Sequence, residues 1–259
     1  MISRSPMTRS VYFAYLFGPP RFIQREEAYE IHGQVCRAIG CEDLAFQYLN
    51  PEAQVRGSRA FCLQFQRKEG RGAYTITIDN PGMQAPVRLL MQYVWPPSVE
   101  HVTETMDGTS RAVFDHLEGR WQKVLAEVRI RAQCEAREND GLRFMKEAIF
   151  RLPPSWFESL GQAKDMSAKF EVPASTFSEN SMDNPRRELL IETLKEDPGS
   201  LFIELMSRWP HLPEAFRPAE RIDVSSVRQI EDNPSAYIGE AYAFLQEQIA
   251  GLDVRKEGQ

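Results

Sequence analysis

From Val124 to Ala136 every even position of the chain is apolar: Val124, Ala126, Val128, Ile130, Ala132, Cys134 and Ala136. The odd positions from Glu127 to Arg137 read Glu, Arg, Arg, Gln, Glu, Arg. Successive residues of a helix lie about 100° apart, which would smear both sets around the axis; only a two-residue repeat separates them. The pattern predicts a strand from Trp121 to about Ala132 with one wet face, and the β-branched Val124, Val128 and Ile130 agree.

The same test sets the order of the other elements. Ser10 to Phe17 is apolar on both faces and predicts a strand at the centre of a sheet. Gln24 to Ile39 places Ala28, Ile31, Val35, Ala38 and Ile39 on one helical face, with Gly40 as its stop. Strands follow over Leu44–Leu49, Arg59–Gln66, Ala73–Asp79 and Val87–Trp95, divided by "RKEGRG" and "DNPGMQAP". A helix is predicted over Val99–Leu117, although Gly108 is a poor helix former.

A second series opens with the Trp121 strand. "LPPSWFESLG" predicts a short helix, "SAKFEVPAS" a strand, and "LRFMKEAIF" fits either state. "RRELLIETLKEDPGSLFIELMSRW" predicts a hairpin with Pro198-Gly199 at the centre of a type II turn. "RIDVSSVRQI" predicts a further strand. Asn233 then caps a last helix with Pro234 in its first position and Ile238, Tyr242, Leu245 and Ile249 on its buried face.

Each series thus reads strand–helix–strands–helix, residues 1–119 and then 120–259. The expected architecture is α+β: two similar, intimately packed halves with largely antiparallel sheets backed by helices, an order that suggests internal duplication. In its sequence of elements, and in "VLAEVRIRAQ", "SLFIEL" and "NPSAYIGEAYAFLQEQI", the chain resembles an uncharacterised, sporadically distributed bacterial family of similar length. That family has no established activity, so the resemblance implies a fold order and nothing about chemistry.

At 42% hydrophobic and 26% charged residues, the chain has the material for a sizeable core and lacks the composition of a disordered protein. A net charge of −6 works against binding to a phosphate backbone, so nucleic acid is disfavoured. The four cysteines, at 36, 41, 62 and 134, lack paired Cys-x-x-Cys spacing and suit reduced thiols in a cytoplasmic protein. The apolar run "VYFAYLFG" is followed by Pro19, Pro20 and Arg21 rather than a cleavage site, and no run is long enough for a membrane span.

No nucleophile elbow, phosphate loop or dinucleotide fingerprint is present. His101 and Glu104, three apart on a predicted helix beside Glu100 and Asp107, could form a carboxylate–imidazole cluster for a hydrolase or metalloenzyme. A solvated helix face is the better reading of them. Arg129 and Arg131 share the wet face of their strand, where arginine forks could grip a partner's carboxylates or pair across strands. Trp95, Trp156 and Trp209 each stand beside prolines, in "VWPPS", "LPPSW" and "RWPHLP". Such corners either anchor a partner or close a core. The pattern as a whole favours a non-catalytic accessory or regulatory protein that binds another protein, its candidate contacts being Arg129, Arg131, Trp95, Trp156 and Trp209. A place beside a defence or signalling locus fits that type. A small-ligand sensor with a cleft between the halves is the alternative. No cofactor, metal or catalytic residue is expected.

Overall fold

The alternating stretch is the strand β6 (Gln122–Glu135), and the sides separate as its period requires: Ala126, Val128, Ile130, Ala132 and Cys134 are buried, while Arg129, Arg131, Gln133 and Glu135 face outward. The structure, a computed structural model, describes residues 6–18, 22–49, 61–69, 72–80, 86–117, 122–136, 139–150, 165–172, 185–210, 230 and 233–254. The first series supplies β1 (Met7–Gly18), α1 (Arg25–Ile39), β2 (Ala45–Leu49), β3 (Phe61–Glu69), β4 (Gly72–Asn80), β5 (Val87–Val94) and α2 (Val99–His116). After β6 come α3 (Gly141–Phe144), a π-helical turn (Met145–Ile149), β7 (Ser167–Val172), β8 (Arg186–Leu194), β9 (Asp197–Pro210) and α4 (Pro234–Val254). The predicted helix in "LPPSWFESLG" and the predicted strand in "RIDVSSVRQI" lie outside the described residues.

The protein is α+β, and its strands form one nine-stranded antiparallel sheet in the order β2-β3-β4-β5-β1-β6-β9-β8-β7. The two series of strands therefore meet in one sheet instead of standing as separate sheets. β1 and β6 join them, pairing Val11 with Ile130, Phe13 with Val128 and Tyr15 with Ala126. Both strands are central, which is why Val11, Phe13, Tyr15 and Phe17 are fully buried. In each series the first strand lies at the middle of the sheet, the last strand beside it, and the others run outward.

The three long helices, α1, α2 and α4, lie on one face. Phe114 of α2 meets Tyr15 and Phe17 edge-on, Tyr237 of α4 packs on Phe13 and Trp209, and His32 of α1 lies over Phe46 and Phe65. Gly40 ends α1 in the left-handed conformation at φ 63°, its N–H turned back to the Arg37 carbonyl. Gly108 has a packing reason to interrupt α2: a Cβ there would stand 3.2 Å from the Ala38 carbonyl oxygen, so the glycine lets α1 approach. The first turn of α4 is held from outside, with Asp107 Oδ1 of α2 accepting from Ser235 N–H at 2.8 Å.

The second-series hairpin turns elsewhere than expected. Leu194 pairs with Asp197 across Lys195-Glu196, and Pro198-Gly199 stand inside β9 at an irregularity of the ladder. Close approach, rather than a turn, explains the glycine. Its carbonyl accepts from Ala136 N–H at 3.0 Å, and a Cβ on Gly199 would lie 2.0 Å from Asn139 Oδ1. Proline has no N–H to leave unpaired where the ladder is broken. "LRFMKEAIF" is resolved by its cap: Asp140 Oδ1 accepts from Arg143 N–H at 2.9 Å and starts α3, which continues into the π-helical turn.

Candidate functional site: an open sheet face and a tryptophan corner

The face opposite the helices carries the odd positions of β6 and their neighbours, and no described helix lies on it. Its charges are paired. Glu127, only 7% exposed, accepts from Arg129 Nε and from Arg208 Nε, each at 2.6 Å, the latter from β9 directly opposite. Arg131 reaches Glu192 of β8 and lies 3.9 Å from Glu204 of β9. Lys169 pairs with Glu188 at 2.6 Å, and Arg88 grips Asp79 with Nε at 2.7 Å. Burial opposes the Arg129 charge, but Glu127 outweighs it and holds the pKa above its ordinary value. The hydrogen bond from Lys169 keeps the Glu188 carboxyl below the usual range.

Two aromatics lie among the arginines: Arg129 stands 5.1 Å over Tyr12, and Arg131 5.2 Å over Phe202. Burial, then the Glu127 charge, pushes the Tyr12 phenol up. Toward β2 the same face is mostly uncharged, with Gln64, Thr75, Thr77, Leu90 and Gln92 in successive strands. The surface is half charged lattice and half neutral platform.

One end of this face is marked by Trp95, which is 43% exposed and holds φ 55°, a conformation that costs a non-glycine residue about 1–3 kcal/mol. Its backbone N–H donates to the Arg9 carbonyl at 2.7 Å. Arg9 lies where the β1–β6 register shifts, between Thr8 and Ser10, and this bulge lets its guanidinium stack 3.4 Å over the Trp95 ring. Burial lowers the Arg9 pKa, and the nearby Asp197 opposes that shift. At Pro96-Pro97, which follow Trp95 in the chain, lies an open hollow of about 330 Å³, lined by Met7, Thr8, Pro96, Pro97, Ser98, Val99, Glu100 and Tyr242. Met7 is itself 53% exposed.

The structure thus brings Arg129 and Arg131 onto one open face and sets Trp95 at its edge. Trp209 sits elsewhere. It is 3% exposed, its ring edge-on to Tyr237 at 4.9 Å on the helix side of the sheet, and it closes the core. Trp156 lies outside the described residues. His101 turns Nε2 toward the Tyr93 hydroxyl at 3.2 Å beneath α2, while Glu104 is exposed on the outside of that helix. Among the described residues no group of three His, Cys, Asp or Glu is placed to hold a metal ion. The boundary between the two series is the β1–β6 ladder itself, so the sheet is continuous there. Arg9, Tyr12 and Arg208 escape the sequence reading. A bulge and a pairing across 81 residues leave no local pattern to find.

No family model matches the chain, and no curated protein does. Among solved structures it is similar to the Trypanosoma brucei AdoMetDC-delta26 monomer at 8% identity and a TM-score of 0.30. That alignment covers 77% of this chain and 64% of the other, so this chain spans less than two thirds of it. A likeness of that degree carries no argument here. What the molecule defines by itself is an α+β protein whose sheet carries helices on one face and, among the described residues, none on the other. No described helix is long and apolar enough to cross a membrane.

Proposed function

We propose that this is a non-catalytic bacterial accessory or regulatory protein, cytoplasmic, that acts by binding another protein through its open sheet face and the Trp95 corner. The observation that carries the reading is the one-sidedness of the sheet. Its described helices cover one face, while the other holds Arg88, Arg129, Arg131 and Arg208, their carboxylate partners and, at its rim, an exposed tryptophan in a strained backbone. Tryptophan and arginine dominate the energetics of protein interfaces. The resemblance in element order supports the bacterial assignment, and four free thiols suit a reducing compartment.

The test is purification from the native host with its neighbouring gene products present. A stoichiometric protein partner is expected. Trp95→Ala and Arg131→Glu should each weaken its retention by about tenfold or more, with thermal unfolding showing that both variants stay folded. A preparation that remains partner-free, or a partner indifferent to both changes, would overturn the reading.

A further inference from the structure

Resting on that reading, we propose that the hollow at Pro96-Pro97, just after Trp95 in the chain, receives an arginine side chain presented by the partner protein. Its aliphatic stem would lie along Met7, Pro97 and Val99, with its guanidinium at Glu100 and Tyr242. Three observations lead there. The first is size: about 330 Å³ is the low end for ligand pockets, which run from about 300 to 1,000 Å³, and suits one long side chain rather than a cofactor. The second is charge. Among the described residues lining the hollow, Glu100 alone is charged, and it is an acid. The third is shape, because a long cationic side chain places an apolar stem on an apolar wall and keeps its head in water.

An anion fits poorly. The N-terminus of α2 is already capped, with Ser98 Oγ accepting from His101 N–H at 3.1 Å. Glu100 stands over that turn, and hydrogen bonds from its own backbone N–H and the Ser98 hydroxyl hold its carboxyl below the usual range. The hollow therefore presents a fixed negative charge at neutral pH. Arginine is favoured over lysine because a planar guanidinium stacks on an aromatic face. The corner shows the same chemistry next door, where Arg9 lies flat on Trp95.

The experiment is a backbone-amide NMR titration of the full chain with blocked acetyl-Gly-Pro-Arg-Pro-Gly-amide, and with versions carrying Lys, citrulline or Glu in place of Arg. The expected result is saturable shifts confined to the residues around Met7, Val99, Glu100 and Tyr242. The order should be Arg, then Lys, then citrulline, with no binding of the Glu peptide. Glu100→Gln should weaken the Arg peptide about fivefold at low salt, and added salt should shrink that difference. Tyr242→Leu, which leaves the helix cap intact, should narrow the gap between Arg and Lys. Equal affinity for Arg and citrulline, shifts elsewhere, or no shifts at millimolar peptide would overturn the proposal. If the peptides fail while partner retention still depends on Trp95, only this inference falls. If the Arg peptide binds and no partner is found, the broader reading falls instead.

Discussion

Trp95 and Trp209 share the local sequence Trp-Pro, yet one is 43% exposed and the other 3%. Each stands at the end of a strand, and what differs is which element arrives from elsewhere. α4 brings Tyr237 onto Trp209, whereas Trp95 is met by Arg9 and stays largely exposed. That contrast was not legible in the sequence, because the deciding contacts come from distant residues. Cys41 is 1% exposed, and burial, aided by the hydrogen bond from its Sγ to Asp43 Oδ1 at 3.1 Å, pushes its pKa up to about 11. Only the thiolate is a nucleophile. At pH 8 the thiolate fraction falls about a hundredfold below that of an ordinary thiol, so Cys41 should alkylate at least that much more slowly in the native protein than after denaturation. Iodoacetamide labelling followed by peptide mass spectrometry measures the ratio, and comparable rates in the two states would contradict the burial described here.

Among the elements, strength of pattern decided what could be read. β6 alternates cleanly from Ala126 onward, and the fold buries Ala126, Val128, Ile130, Ala132 and Cys134 on one side of the sheet. β1 is apolar on both faces and is central, as that composition implies. The β8–β9 turn was misplaced because Pro-Gly is a stronger local turn signal than Lys-Glu, and a tertiary contact overrode it. Gly199 is needed for the approach of Asn139, which has its own left-handed backbone at φ 56°. Gly199→Ala should therefore cost about 1–3 kcal/mol, the usual penalty for forcing a methyl into a filled space. Adding Asn139→Gly removes the obstructing side chain and suits the positive φ, so the double variant should recover much of the loss. Urea unfolding of the two single variants and the double variant gives the coupling. Simple additivity would mean that the two residues do not meet as described.

At the scale of the molecule, the sequence divides at residue 119 while the sheet does not. Removing residues 120–259 would strip β6 from β1 and leave β1, paired then with β5 alone, as an edge strand whose Val11, Phe13, Tyr15 and Phe17 side chains are fully buried in the whole protein. It would also take away α4, and with it the Tyr237 ring over Phe13 and the edge of α2 that α4 covers. Burying a side chain of that size contributes about 1.5–3 kcal/mol, and a native domain is stable by only about 5–15 kcal/mol. Partial uncovering of several such side chains thus consumes most of the margin that a half could have. Residues 1–119 alone should be aggregated or only partly ordered, and the full chain should unfold in one transition seen alike by far-ultraviolet circular dichroism and tryptophan fluorescence. The fragment can be judged by size-exclusion chromatography and amide dispersion. A soluble, cooperatively folding 1–119 would show that the β1–β6 ladder joins two independent domains, and the open face would then be a surface whose continuity depends on how those domains dock.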